Sequence, residues 1–341
     1  MEEGNKLVTC AGYGGSGSSV ITDLLKEFSN VYSAGDFEFT IAHELDGISD
    51  LEYYIVNNPH RLNCDQAIYR FKKLINRVSK PYSNYIDEFE KISNTYIDEI
   101  TQCTWNGHWH NHRQRHSKFM GFIYYNIPNK IKEIRNKFKT SNYEIVIKSR
   151  RDIMHYSNCG EEFYELTRKY TSNLVGNLKL DKNEYEYIAM DQLVPPSNID
   201  RYINYFENLK VIIIDRDPRD LYLLNKLHWN EGWIPTDDVD TFIKWFKGSR
   251  GDYSELMNND NCILIKFEDF IYDYENTLTK IMEFLKLDKE NHTLKHKYFN
   301  PKVSKKNSGL WKQGHYLDDI RLIEKELSQY CYNDRVDIVN E

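Results

Sequence analysis

Short apolar runs punctuate this chain, and between them the apolar positions switch from consecutive to helically spaced. KLVTC (6–10), EIVIKS (144–149), EYIAMD (186–191), LKVIIID (209–215) and NCILIKFED (261–269) read as strands buried on both faces, with VYSAG (31–35) a weaker one. Val20, Leu24, Leu25 and Phe28 fall on one helical face, and similar patterns run through 161–179, 218–229 and 275–286. Strand alternating with helix predicts a three-layer α/β fold, a parallel sheet flanked by helices. Residues 50–140 break the rhythm: they are polar, rich in Asn, Lys and Tyr, helical in pattern, and hold no strand of comparable strength. They read as a helical insertion within a single domain spanning 1–341, because no Pro/Gly/Ser linker or internal repeat marks a boundary.

The first strand feeds AGYGGSGSSV (11–20) and then a helix, the setting in which helix N–H groups and the helix dipole meet an anion. Gly12 and Gly17 have the spacing of an ATP phosphate loop, and Ser19 stands at its hydroxyl position. The lysine that would reach the β- and γ-phosphates is replaced by Ser18. Ser18 or Ser19 can cap the helix. Gly14, Gly15, Ser16, Gly17, Ser18 and Ser19 form the first candidate anion site, of the P-loop-like kind.

A second lies in VIIIDRDPRDLYLLNK (211–226), where a buried strand ends in Arg216, Asp217, Pro218, Arg219 and Asp220. Ligands of open α/β sheets sit beyond the carboxyl ends of the strands, so Arg216 and Arg219 are placed to meet an anion, or else to build a salt-bridged turn. Asp217 suits a helix cap and Pro218 the first turn after it. A strand, acidic turn and amphipathic helix follow at 263–287. NPKVSKKNSGLWKQ (300–313) is either a basic ligand loop or a solvated one.

The formal charge of −7 makes a general nucleic-acid binder a poor reading, so an anionic ligand must be met by local arginines and lysines. Six scattered cysteines without a CxxC pair read as reduced thiols. MEEGNKLVTC lacks the basic-then-apolar pattern of a signal, and no run approaches the ~20 apolar residues of a membrane span. The chain therefore reads as soluble and cytoplasmic. CTWNGHWHNHRQRH (103–116) alternates His108, His110 and His112, but no carboxylate or second cysteine lies at ligand spacing. An acceptor-binding loop with Trp105 and Trp109, or a solvated loop, competes there with a metal, and no metal is expected.

Taken in order, the four stretches resemble the sulfotransferases that use 3′-phosphoadenosine 5′-phosphosulfate. GGSGSS is similar to the 5′-phosphosulfate loop of that family, DRDPRD to its 3′-phosphate turn, KFEDF to its acidic turn and SKKNSGLWK to its basic C-terminal loop. Among its branches the chain looks closer to the bacterial and carbohydrate enzymes. The resemblance covers 6–35 and 209–313. It implies that Gly14 to Ser19 hold the phosphosulfate, and that Arg216 with Lys305 and Lys306 hold the 3′-phosphate. Arg219 and Asn225 stand near it. The base implied is a carboxylate just after the second strand, Asp36 or Glu38, with His43, Glu44 or the 108–116 histidines behind them. Two departures stand out. Gly15 occupies the place of a basic residue in many members, and Leu224, with Asn225 beside it, replaces a serine. Lys148, Arg150, Arg151, Lys305 and Lys306 are the candidates to supply the missing charge, Lys148 as a catalytic residue. The expected reaction is sulfuryl transfer to a hydroxyl of a glycan or glycan precursor. A P-loop kinase with Asp215 on magnesium, a small-molecule sulfotransferase and a binding protein without activity are the alternatives.

Overall fold

The computed structural model describes residues 6–140, 142–143, 150–181, 185–251 and 259–332, with the backbone alone at His110. The expected strand at 144–149, and Lys148 with it, lies outside the described residues. Strands among the described residues are β1 (Lys6–Gly12), β2 (Val31–Glu38), β3 (Cys103–Gly107), β4 (Asp152–Tyr156), β5 (Tyr187–Asp191), β6 (Leu209–Asp215) and β7 (Cys262–Lys266). The chain divides into two compact units, 1–44 with 84–87 and 171–341, and 45–83 with 88–170.

In the first unit β-branched runs become a five-stranded sheet of order β2-β5-β1-β6-β7, parallel throughout. Both faces are covered. Val8, Cys10, Ile212 and Ile214 pack against helix α1 (Ser19–Leu25) and the helix Tyr274–Leu285, while their neighbours Leu7, Ala11, Val211 and Ile213 are equally buried on the other face. The α1 face is the one expected: Val20, Leu24, Leu25 and Phe28 all enter that core, with Ile21. β1 lies between β5 and β6, with Cys10 opposite Asp191 and Gly12 opposite Ile214. The chain leaves β1 to one side for β2 and reaches β6 on the other, so the loop after β1 opens at the switch point where such sheets bind ligands.

Just beyond α1 stands Glu27, fully buried. Its Oε1 accepts hydrogen bonds from the backbone N–H of Tyr298 (2.9 Å) and Phe299 (3.0 Å). Its Oε2 accepts from the N–H of His296 (3.0 Å) and meets His292 Nε2 at 2.9 Å. A carboxylate buried by four donors fixes a loop that has little regular structure of its own, including His296 at φ +64°.

The second unit packs the helices Arg61–Tyr82 and Phe89–Glu99 with the antiparallel pair β3–β4, registered from Cys103 opposite Tyr156 to Gly107 opposite Asp152. β3 sits where the sequence pattern shows only helix and loop. Its side chains are mostly exposed, so no apolar alternation betrays it.

Glu27→Gln swaps one acceptor oxygen for a donor facing the His296 N–H. It should cost about 1–3 kcal/mol, the range for an unsatisfied buried group, in urea unfolding. An unchanged midpoint would show that the loop does not rely on this carboxylate.

Candidate active site

The loop between β1 and α1 is glycine-rich for steric reasons visible at each position. Gly15 and Gly17 have φ of +76° and +90°, left-handed backbone that side chains disfavour. At Gly14 an added Cβ would lie 2.3 Å from the Trp233 ring. The Ser16 N–H closes the turn onto Tyr13 O at 2.9 Å. Ser18 occupies the cap position of α1, but its backbone is already helical and its side chain makes no capping bond.

DRDPRD, at the end of β6, organises everything around this loop. Asp215 is buried and paired with Arg250 (Nη2–Oδ1 3.0 Å) and Lys266 (Nζ–Oδ2 3.4 Å). Asp217 caps the helix Pro218–Leu224 through the Arg219 N–H at 2.8 Å, and its own N–H donates to Glu268 at 3.0 Å. Asp220 accepts from the N–H of Gly309 (2.7 Å) and Leu310 (2.8 Å), which pins the Gly-Leu-Trp turn.

Arg216 alone is left uncommitted. It is 2% exposed, lies flat on the Phe267 ring at 3.8 Å, and donates through Nη1 to Gly15 O at 3.2 Å. Its Nε has no hydrogen-bond partner, and among the described residues no carboxylate pairs with it. Burial lowers its pKa, with the charges of Glu268, Asp220 and Asp215 acting in the opposite direction, and a guanidinium stays protonated in any case.

Arg216 lines a cavity of about 670 Å³ together with Gly15, Gly17, Ser18 and Ser19 on one side. The loop held by Glu27 supplies Lys297 and Tyr298, and the 300–307 segment supplies Ser304 and Asn307. Lys297 and Tyr298 went unrecognised in the sequence, where they sit in an unpatterned stretch.

The remaining candidates fall elsewhere. Gly14 and Ser16 shape the loop without lining the cavity. Arg219 is spent on structure: it binds Asp217 (Nη2–Oδ2 2.6 Å) and Glu324 (Nη1–Oε1 2.8 Å) and stacks on Trp311. The salt-bridged turn is therefore right for Arg219, and its expected place at the donor is corrected. Asn225 is likewise structural, its Nδ2 donating to Ile234 O and Thr236 Oγ1, its Oδ1 accepting from the Glu231 N–H. It folds the loop that lays Trp233 on Gly14. Lys305 and Lys306 are exposed and do not line the cavity, because the short helical turns at 301–307 turn Ser304 and Asn307 inward instead. Arg150 pairs with Asp152 at 3.2 Å and stacks on Tyr124, and Arg151 is exposed. Beside Gly15, where a basic residue was missing, stands Arg216.

Asp36 and Glu38 are exposed at the end of β2, outside the cavity lining. They sit within electrostatic reach of Asp191, a carboxylate the motif reading missed, at the carboxyl end of β5 and 2% exposed. Burial, then the charge of Glu38 and more weakly of Asp36, pushes Asp191 up to about 7, against hydrogen bonds from the Gln192 N–H and Ser18. His43 places Nε2 2.9 Å from Gln192 O, and burial lowers its pKa.

In the second unit the 103–116 stretch is largely exposed but anchored through one buried histidine. His112 is fully buried against Asp65 (Nε2–Oδ2 3.0 Å), Arg115 Nη2 donates to the same oxygen at 2.6 Å, and the His155 N–H donates to the other at 3.0 Å. Burial raises the Asp65 pKa, but His112, His155 and Arg115 outweigh it and hold the carboxyl well below its usual range. Among the described residues no group of three or more potential ligands gathers as a metal site.

A glycine loop at the switch point of a parallel sheet, beside a buried arginine with no ion-pair partner among the described residues, defines an α/β protein of the P-loop type. Residues 8–291 match the model of the Sulfotransferase family, and the chain belongs to that family. Rat Sulfotransferase 2A6 is 28% identical over 132 residues, 35% of this chain and 44% of that protein. The chain spans less than half the length of the curated relatives it matches. Among solved structures, the sulfotransferase domain from the curacin biosynthetic pathway covers 95% of this chain and 97% of its own, at 13% identity and a TM-score of 0.40. A retinol dehydratase in complex with androsterone and inactive cofactor PAP covers 95% and 80%, at 12% identity and a TM-score of 0.34.

Asp191 (about 7), Glu268 (about 8) and Asp220 (about 6) are all raised above the roughly 4 of an unfolded carboxyl. Between those values these three carboxyls bind more protons in the folded chain than in the unfolded one, so the stability they contribute falls as pH rises from about 4 to 8, against the smaller opposite effect of His43. Urea midpoints at intervals across that range should decline, and Asp191→Asn should remove the part of the decline ending near pH 7. A variant with the wild-type slope would place the Asp191 carboxyl outside this linkage.

Proposed function

We propose that this protein is a sulfotransferase that moves a sulfuryl group from 3′-phosphoadenosine 5′-phosphosulfate to a hydroxyl, of a glycan or glycan precursor. The observation that carries the reading is Arg216, a buried cation beside a phosphate-type loop, which lines a cavity with Lys297 and keeps an Nε without a hydrogen-bond partner. Family membership supplies the donor class. Tyrosine abundance and the half-exposed Trp229 and Trp233 favour a sugar as acceptor. Both units form one sulfotransferase domain in this reading, with 50–140 as its helical insertion. A cytoplasmic setting fits six free thiols.

The acceptor oxygen attacks sulfur, forming the new S–O bond, as the bond from sulfur to the bridging oxygen breaks. Its electron pair leaves on the 5′-phosphate of 3′,5′-ADP, and the acceptor proton passes to a carboxylate. Such transfer rests on positioning and on neutralising charge that builds on the leaving group. Gly15, Gly17, Ser18 and Ser19 hold the phosphosulfate, Arg216 neutralises charge, and Asp36 or Glu38 takes the proton. A magnesium-dependent kinase is disfavoured by Asp215, whose carboxylate is already taken by Arg250 and Lys266.

Labelled sulfate transfer onto glycans, phenols and peptides tests the activity and its acceptor. In calorimetry, Arg216→Lys keeps the charge and loses the planar fork, and should weaken 3′,5′-ADP by about 1.5–3 kcal/mol, the worth of charged hydrogen bonds. Unchanged affinity removes Arg216 from the donor site, and stabilisation by Mg-ATP rather than 3′,5′-ADP would favour the kinase.

Loss of the base should appear in turnover alone. Asp36→Ala or Glu38→Ala should lower kcat by about 10²–10⁴-fold with 3′,5′-ADP affinity intact, the usual scale of general-base removal. If both variants turn over within a few-fold of wild type, the proton goes elsewhere.

A further inference from the structure

A surface helix normally turns its apolar stripe to the core. In the second unit one does the reverse. The helix Lys118–Gly121 continues through a wider π turn, Phe122–Asn126, into the helix Ile127–Lys137. Phe119, Ile123, Ile127, Ile131, Ile134 and Phe138 recur at steps of three and four, and all are exposed, Phe119 at 70% and Phe138 at 81%. The side that packs inward is short: Gly121 and Tyr125 are buried, with Tyr125 stacked on His108 at 5.0 Å, and the helix Ile127–Lys137 buries no residue at all.

The polar residues flanking this stripe are strongly biased. Between 118 and 139 the chain carries six lysines and arginines against a single acid, Glu133, in a protein of net charge −7. On helical spacing Lys130 and Lys137 fall to one side of the stripe and Arg135 to the other. A large exposed apolar stripe marks an interaction surface, and cations along both flanks select an anionic partner. A second copy of this chain is a poor occupant, since a two-fold pairing would set the same basic flanks against each other. Phenylalanine and isoleucine on one face, with lysine and arginine beside it, form the pattern that lies in the headgroup region of an anionic bilayer.

We propose that this face binds an anionic membrane surface peripherally, the apolar stripe at the acyl boundary and the lysines at the lipid phosphates. The full chain is sedimented with vesicles of phosphatidylcholine alone or mixed with phosphatidylglycerol. Binding is expected only to the anionic vesicles and should fade with salt. Ile127→Asp with Ile131→Asp should weaken it by about ten-fold or more, as should Lys130→Glu with Lys137→Glu. These side chains are exposed, so melting temperature and circular dichroism should stay those of the wild type; if the isoleucine pair shifts them, the lysine pair decides. No binding to anionic vesicles, equal binding to both kinds, or undiminished binding by the variants overturns the proposal. So does a wild-type dimer in sedimentation velocity that the isoleucine variant converts to monomer, which would assign the stripe to a second copy.

Discussion

A guanidinium buried with no ion-paired carboxylate among the described residues is the constraint around which the phosphate loop is built. Taking a charge out of water costs several kcal/mol even after relaxation, and an ion pair is the usual compensation. Arg216 has instead the face of Phe267 and one carbonyl, Gly15 O. Both contacts leave donor edges unused, so the residue is held in a state that an incoming anion improves. The surrounding carboxylates act at a distance: Glu268 accepts from the Asp217 N–H, Asp220 from backbone N–H groups, and Asp215 is locked to other cations. Had any of them closed on Arg216, the site would be neutralised before a ligand arrived.

That arrangement also answers the missing lysine of the phosphate loop. In an ATP site the lysine rises from the loop itself, whereas here the cation reaches the loop from the next strand over, through the Gly15 carbonyl. Gly15 must then be small, because a Cβ there would stand 2.8 Å from Leu221 Cδ1, and its φ of +76° turns the carbonyl toward Arg216. The glycine that looked like a defect is the residue that lets the substitute in.

The sheet was legible because β1, β5, β6 and β7 are buried on both faces and so carry continuous apolar runs, LKVIIID most clearly. β3 was not, since its side chains are exposed, and neither were Lys297 and Tyr298, whose place depends on a carboxylate in Glu27, 271 positions from Tyr298. Arg216 and Arg219 share one motif and differ only in partners. Arg219 bends back to the Asp217 two residues before it, a local pairing, while the environment of Arg216 comes from Gly15 and Phe267, far along the chain. Spacing can nominate such residues; only the fold divides them into one that lines the cavity and one that braces the turn. The apolar stripe at 119–138 is plain in the sequence as a helical period, but period alone reads as core, and exposure is what reverses its meaning.

Under the proposed function, an acidic chain that takes an anionic donor must concentrate its positive charge, and burial decides how that charge behaves. Exposed lysines such as 305 and 306 are screened within about 8 Å at physiological salt, so they can draw an anion in without holding it selectively. Arg216 sits behind Phe267, in a medium that screens far less, and its planar fork matches oxygen pairs on a phosphate or sulfate. On that proposal attraction and retention fall to different cations. Varying the lysines on the 300–307 segment would then cost mainly encounter, and varying the strand-end arginine mainly retention.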